Sequence, residues 1–348
     1  MVFFNLKVAD IRQETSDTKT ICLKQPGLKK IRYLPGQYLT LVFRINGRKY
    51  IRPYSFSSAP DIDGYLEVTV KRVNGGVVSN HINDFLKVGD MVETMSPMGD
   101  FVFDSNKINA AQHVVLWGAG SGITPLISIA KYILYKRIGN KVRLVYGNRS
   151  LESVIFKARI EEMERSFPED FTTSHFHTHF TIDENKPGVI AGRIEPEKVL
   201  LEMKRELDIQ NTVHFICGPP GLKESVKKSL KSLSINEDMI FSEDFELVKN
   251  PSDFEDVFTR IVEIVKGGTV HKVEVTKGKS ILEAGLDASI DLEYSCQTGS
   301  CTVCKARLIK GNVKTIGTKG LPAALSAEEC LLCCGYPLSN DVRVSVAG

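Results

Sequence analysis

A chain of 348 residues, 42% hydrophobic and 25% charged, has the length for two or three domains and the composition of a globular protein that buries a core. Its formal net charge of +3 is too small to argue for nucleic-acid or membrane partners. The longest apolar stretch, His113 to Leu134, is broken by three Gly, a Pro, polar residues and Lys131, so it makes a poor membrane span; with no signal peptide legible, a cytoplasmic location is the default expectation.

The first hundred residues are rich in strands. Gln37 to Phe43 and Tyr65 to Val70 are β-branched or aromatic and bounded by Gly, Pro and Asp, and strands at this spacing predict a small antiparallel barrel. Within it, Arg52-Pro-Tyr-Ser55 puts Arg52 and Tyr54 two residues apart on one face of a strand. Arg pairs bidentately with phosphate and Tyr offers a flat face to an aromatic ring. Most Arg-x-Tyr-Ser strands are nothing more than half-exposed strands, so the motif is weak alone. Downstream, Gly75-Gly76-Val77-Val78-Ser79 reads as a turn opening a helix, whose backbone N–H groups suit a pyrophosphate.

From about residue 105 strands alternate with helices, the pattern of a parallel sheet. His113 to Trp117 is a buried strand, Gly118-Ala-Gly120-Ser-Gly122-Ile-Thr124-Pro125 follows, and a helix is predicted from about Thr124 with Leu126, Ile129, Ala130, Ile133 and Leu134 on its apolar face. A glycine loop between strand and helix lets backbone approach a phosphate. The next strand, Val142 to Tyr146, runs into Gly147-Asn-Arg149-Ser150, where no acid stands before Glu152. Arg149 and Ser150 could donate to a 2′-phosphate, which points to NADPH over NADH; the rival reading is that Arg149 is a solvated loop residue. A later strand, Thr212 to Ile216, ends at Cys217-Gly218-Pro219-Pro-Gly221. His175-x-His177-x-His179 resembles a metal site, yet with no Cys, Asp or Glu in that run an exposed strand face is the preferred reading. Residues 246–256, charged and interrupted by Asn250-Pro-Ser-Asp253, read as a connection.

Six of the eight cysteines lie at or after Cys296. Phe258 to Val265 and Val270 to Val275 predict a hairpin around Gly267-Gly268. Cys296-x4-Cys301-x2-Cys304 then has the spacing of the first three thiolates of a plant-type [2Fe–2S] site. Gly299 and Ser300 let the loop wrap closely and aim N–H groups at the sulfides. The fourth ligand must be Cys330, Cys333 or Cys334; Cys333 is favoured because it begins Cys-x-x-x-Pro337. Two C-x2-C pairs, 301/304 and 330/333, would also suit structural zinc, but zinc leaves Cys296 and the Gly-Ser turn without a role. Disulfides fit poorly in a chain without a secretory signal.

Residues 257–348 resemble plant-type ferredoxins, with Ile281 to Gly285 as the short helix before the ligand loop. The preceding motifs together resemble the ferredoxin–NADP reductase family. The whole order resembles the reductase components of bacterial multicomponent oxygenases, and within them those of phenylacetyl-CoA epoxidation most of all. The resemblance implies a multidomain fold: an antiparallel β-barrel flavin domain (1–104), an α/β parallel-sheet nucleotide-binding domain (105–245), and an α+β β-grasp ferredoxin domain (257–348). It implies FAD, with Arg52 on phosphate, Tyr54 on the isoalloxazine, Ser55 near N5, and Gly76, Val77, Val78 and Ser79 under the pyrophosphate. Gly120, Gly122, Thr124 and Pro125 would serve the nicotinamide nucleotide. Cys217, Gly218 and Pro219 would lie beside the nicotinamide, Cys217 as a packing residue and not a nucleophile, with Glu243 and Phe245 near the flavin ring. Cys296, Cys301, Cys304 and Cys333 would hold the [2Fe–2S] cluster. No general acid or base is expected in the hydride step, and the partner is an electron-acceptor protein, an oxygenase component. The alternatives are a reductase for another carrier or cluster protein, and a redox-sensing or docking protein.

Overall fold

The computed structural model describes residues 2–25, 27, 30–179, 189–318 and 325–346. They form two compact units, Met1–Asp244 and Phe245–Gly348.

The first unit opens with strands β1 (Phe3–Thr15), β2 (Thr18–Lys24), β3 (Tyr38–Ile45), β4 (Arg48–Ser55) and β5 (Tyr65–Lys71), a short helix α1 (Val77–Asp84) and β6 (Met91–Met95). Side chains alternate as a half-buried strand requires: Leu6 and Val8 of β1 are buried, Asn5 and Lys7 exposed. The sheet order is β4-β3-β6-β1-β2-β5, with every pair antiparallel. It curls until Phe56, just past β4, bridges Val68 of β5, which makes the expected barrel around Leu23, Leu39, Phe56 and Val68.

The unit continues with β7 (His113–Ala119), α2 (Ile123–Tyr135), β8 (Val142–Asn148), α3 (Lys157–Ser166), β9 (Phe171–His177), β10 (Val189–Ala191), α4 (Pro196–Met203), β11 (Thr212–Cys217), α5 (Pro220–Ser232) and β12 (Ile240–Glu243). The sheet is wholly parallel, in the order β10-β9-β8-β7-β11-β12. Both faces are covered, so its central strands are continuously apolar. Val114 and Leu116 of β7 join the core shared with α2 and α3, while Val115 and Trp117 join Val199, Val226 and Leu230 of α4 and α5. Each such buried aliphatic side chain contributes about 1.5–3 kcal/mol.

Helix α2 is buried on nearly every side, Ser128 and Lys131 included. One face lies in the core of the parallel sheet. The other meets the barrel, where Ser128 Oγ donates to the Ser58 carbonyl (2.6 Å) and Lys131 Nζ lies 2.6 Å from Asp63. Phe101 and Phe103, which follow the barrel, also sit in the parallel-sheet core.

The second unit contains β13 (Arg260–Lys266), β14 (Thr269–Val275), α6 (Ile281–Asp287), β15 (Lys305–Lys310), β16 (Val313–Thr315), β17 (Glu329–Leu331), β18 (Gly335–Pro337) and β19 (Arg343–Ser345). A mixed five-stranded sheet, β14-β13-β19-β15-β17, and the pair β16-β18 surround one helix, the β-grasp plan. The β13–β14 hairpin turns on Gly267 (φ 54°) and Gly268 (φ 82°), the two left-handed residues that a tight hairpin of this twist demands. Helix α6 starts with a capping box in which Ser280 and Glu283 satisfy each other's backbone N–H.

Residues 246–256, expected to connect the domains, belong to this second unit, and from Leu247 on they pack into it. Leu247 abuts Gly317, Lys249 stands 3.7 Å from Glu283 and over the Tyr336 ring, Phe254 meets that ring edge-on, and Asp256 pairs with Lys314 (2.6 Å).

Candidate functional site

In an open parallel sheet, ligands gather at the carboxyl ends of the strands where the winding reverses. Here the reversal falls between β7, whose chain proceeds to β8, β9 and β10 on one side, and β11, which continues to β12 on the other. The loops leaving these two strands are the glycine loop and the Cys-Gly-Pro segment.

The two loops touch. A Cβ placed on Gly122 would lie 2.8 Å from the Gly218 nitrogen and closer still to the Cys217 carbonyl group, so position 122 admits no side chain. Gly120 has φ 53°, a left-handed turn that ends the strand before a single 3-10 turn leads into α2, which begins at Ile123, one residue before the expected start. Thr124 is buried and its hydroxyl donates to the Ser121 carbonyl (3.0 Å), while Pro125 occupies the first turn of α2, where it needs no N–H partner. From below, the wholly buried Tyr146 of β8 donates its hydroxyl to the Gly120 carbonyl (2.9 Å). Tyr146→Phe removes that donor, a contact worth about 1 kcal/mol, and is expected to raise the KM for the nicotinamide nucleotide about fivefold with little change in kcat at saturation. Steady-state titration of the purified variant checks this.

The flavin motif comes to the same place. Arg52, Tyr54 and Ser55 end β4. Burial raises the Tyr54 phenol above its ordinary range while the Arg52 charge pulls the other way, and the Arg52 guanidinium donates to the Ile51 carbonyl (2.8 Å). Ser55 Oγ donates to Glu243 Oε2 (3.4 Å). Glu243, at the end of β12, pairs in register with Cys217, and Lys223 of α5 forms an ion pair with the next residue, Asp244. Ser55, Gly122, Cys217 and Glu243 therefore converge from four separate stretches of chain. Burial first, then Glu243 and Asp244, push the Cys217 thiol far up, so it stays protonated and is no nucleophile. In the sequence Glu243 stands out only through the resemblance; no local spacing announces its contact with a serine 188 residues away. Phe245, expected near the flavin, is the first residue of the second unit and is 44% exposed.

Gly75 (φ 70°) and Gly76 lead into α1. The Ser79 hydroxyl accepts from the Val73 N–H (3.1 Å) and Val78 packs into the barrel core, so these side chains fix the turn that opens α1.

At the end of β8, Arg149 is exposed and its carbonyl accepts from His179 N–H (2.7 Å). Ser150 and Ser153 form a reciprocal cap, and Glu152 accepts from Ser150, which holds its carboxyl below the usual range. In the histidine run, burial and His177 lower His175 to about 4, so it is neutral at physiological pH. Among the described residues no three His, Cys, Asp or Glu are placed to hold one metal ion.

The cysteine loop is arranged in pairs. Cys296 and Cys301 are each other's partners, with each backbone N–H 3.4 Å from the other's sulfur; Thr298 N–H adds a third donor. The Cys301 thiol first, then the Thr298 N–H and the Ser300 and Thr298 hydroxyls, draw the Cys296 thiol down to about 4 against the opposing effect of burial. The Cys304 and Cys333 side chains are hydrogen-bond partners too, and Cys333 also meets Cys334. Gln297 (φ 58°), Gly299 (φ 82°) and Thr302 (φ 58°) wind the loop inward, and a Cβ on Gly299 would press on Thr318 and on Cys334 Sγ. Cys330 lies within β17, and Cys334 turns to the Leu331 carbonyl (3.8 Å). Two thiol pairs suit two irons that each take two thiolates, whereas zinc would gather four about one point.

Comparison with known proteins agrees with this division. Residues 5–103 match the oxidoreductase FAD-binding domain, 116–228 the oxidoreductase NAD-binding domain, and 264–338 the 2Fe-2S iron-sulfur cluster binding domain. The chain is an oxidoreductase that joins a flavin, a nicotinamide and an iron–sulfur domain. Along nearly its whole length it is similar to one of the subunits of the 1,2-phenylacetyl-CoA epoxidase of Escherichia coli (29% identical, 98% of this chain and 97% of that protein). It is equally similar to the ferredoxin reductase component of 3-ketosteroid-9-alpha-monooxygenase of Rhodococcus rhodochrous (29% identical, 97% and 95%). Phthalate dioxygenase reductase shares the fold, with a TM-score of 0.68, 22% identity, and 99% of this chain and 98% of that chain covered. Among the described residues no helix is long and apolar enough to cross a membrane.

Proposed function

We propose that this protein is the reductase component of a multicomponent oxygenase, drawing on NADPH and serving a partner of the phenylacetyl-CoA epoxidase kind. The observation that carries the reading is the meeting of Ser55, Gly122, Cys217 and Glu243, which brings a flavin-binding strand and a nicotinamide-binding loop to one point. When bound, the flavin accepts a hydride from the reduced nicotinamide and releases electrons singly to the iron–sulfur cluster. Arg52 would pair with a flavin phosphate, Tyr54 would flank the ring, and the turn from Gly76 to Ser79 would lie under the pyrophosphate, the feature that favours FAD over FMN; the Gly76 N–H itself is taken by the Val73 carbonyl. Gly120, Gly122, Thr124 and Pro125 shape the nucleotide's phosphate seat, and Cys217, Gly218 and Pro219 wall the nicotinamide. Ser55 keeps its proton directed at Glu243 Oε2. Cys296, Cys301, Cys304 and Cys333 would hold the cluster, which would take up and release one electron at a time. The proposed borders, 1–104, 105–245 and 257–348 with 246–256 between, enclose the three matched stretches. The absence of membrane and nucleic-acid partners and a cytoplasmic location remain part of the proposal.

The preference for NADPH rests on Arg149, exposed just past the end of β8 with no acid before Glu152. Arg149→Ala is expected to lower kcat/KM for NADPH about tenfold to a hundredfold, the value of a hydrogen bond to a charged group, and to leave NADH nearly unchanged. An equal loss with both nucleotides would overturn the assignment. The reading as a whole is tested by anaerobic visible spectra before and after one equivalent of NADPH or NADH. Flavin and cluster absorbance bleaching faster with NADPH supports it; faster bleaching with NADH removes the role of Arg149. A protein that stays colourless after reconstitution overturns the function.

A further inference from the structure

The seam between the barrel and the parallel sheet contains an unusual side chain for such a place, a lysine that is only 3% exposed. Lys131 Nζ lies 2.6 Å from Asp63 and 3.8 Å from Glu67 of β5. Both carboxylates are fixed in turn: Asp63 accepts from the Ala59 N–H (2.6 Å), and Glu67 is paired with Arg12 of β1. One turn earlier on α2, Ser128 Oγ donates to the Ser58 carbonyl. The Ser58 hydroxyl is itself held by Glu67 N–H (3.0 Å) and Tyr33 OH (2.7 Å).

The two ends of this network lie a few residues along the chain from Ser55 and Gly122. Ser58 is three residues beyond Ser55, and Ser128 is six residues beyond Gly122, about 9 Å along the helix. A buried ion pair adds little stability over apolar side chains of the same volume, so the network is not explained by strength. It has what an apolar seam lacks, direction: hydrophobic contacts slide, whereas a lysine between two braced carboxylates defines one register.

We propose that Lys131, with Ser128 as its auxiliary, is a positioning residue that locks the helix of the glycine loop onto the flavin barrel and so sets the nicotinamide at hydride-transfer distance from the flavin. The inference rests on the functional reading above, in which hydride passes between the ligands of Gly122 and Ser55. Alignment is worth much in such a step, because a misplacement of about 1 Å costs about a hundredfold in rate.

The test uses the full chain loaded with flavin and cluster. Anaerobic stopped-flow gives the limiting rate of flavin reduction and the nucleotide Kd for wild type, Lys131→Met and Lys131→Arg, with the nicotinamide that wild type prefers. Lys131→Met is expected to lower the limiting rate tenfold or more with Kd changed less than twofold, and Lys131→Arg to restore it to within threefold. An unchanged limiting rate with a lowered melting temperature would make Lys131 merely structural and overturn the proposal, as would a raised Kd at unchanged rate. If Lys131→Met fails to load flavin, Ser128→Ala decides on the same readout: a rate loss of threefold or more at constant Kd supports the clamp, and a wild-type rate overturns it. Absence of flavin reduction in wild type by either nucleotide overturns the functional reading and the clamp with it, whereas a fast Lys131→Met in an active wild-type background overturns the clamp alone.

Discussion

Cys301→Ser protein is expected to reduce an artificial dye with NADPH at close to the wild-type rate while transfer to a cluster-dependent protein acceptor falls a hundredfold or more. Cys301 is one of two thiols in the Cys296 pair, and four thiolates must hold the two irons. Removing it strips the cluster site but touches nothing in Met1–Asp244, where Ser55, Gly122, Cys217 and Glu243 meet. Visible spectra would report the lost cluster and retained flavin, and parallel assays with dye and protein acceptor would report the split. Loss of dye reduction in folded, flavin-loaded protein would show that electrons do not leave through the flavin before the cluster.

Gly122→Ala should fail at the opposite end. The added Cβ would meet the Cys217 carbonyl group and the Gly218 nitrogen, all main-chain atoms at the ends of packed elements, with no flexible side chain to yield. Either the glycine loop or the Cys-Gly-Pro loop must move, and both belong to the nucleotide seat proposed above. Overpacking of this severity costs about 3 kcal/mol. Reduction by NADPH is expected to drop a hundredfold or more, with flavin still bound because the barrel is untouched. Gly221→Ala is the control: nothing lies within 4 Å of its Cβ and it stands in the first turn of α5, so stability and activity should stay near wild type. Thermal melts, flavin content and stopped-flow reduction of the two variants separate the outcomes; equal behaviour of Gly122→Ala and Gly221→Ala would refute the close approach.

What could be read from the sequence was local. The cysteine spacing, the glycines between a buried strand and an apolar helix, and the alternation of the early strands each lie within a few residues, and they pointed to the three-part fold that the structure displays. The hairpin at Gly267-Gly268 was legible for the same reason. The convergence of Ser55 with Glu243 was not, because it is created by β12 joining the sheet beside β11. Nor was the second face of α2: a periodicity that selects Leu126, Ile129 and Ile133 treats Ser128 and Lys131 as the solvent side, and only the docked barrel buries them. The charged, Pro-containing stretch after Asp244 has the composition of a tether, yet Leu247, Lys249 and Phe254 find partners in Gly317, Glu283 and Tyr336, which lie 34 or more residues away in the sequence.

That last stretch bears on how such proteins are assembled and reassembled. A recombination event that borrowed the cluster domain at residue 257 would take Tyr336 without Lys249 and Phe254, exposing a buried phenol three residues past Cys333. A crossover at 245 carries the strap along and leaves the Lys223–Asp244 pair behind to finish the donor half cleanly. The seam at which this domain can be moved between genes, or fused to a new donor by design, thus lies about fifteen residues upstream of where the first strand of its sheet begins.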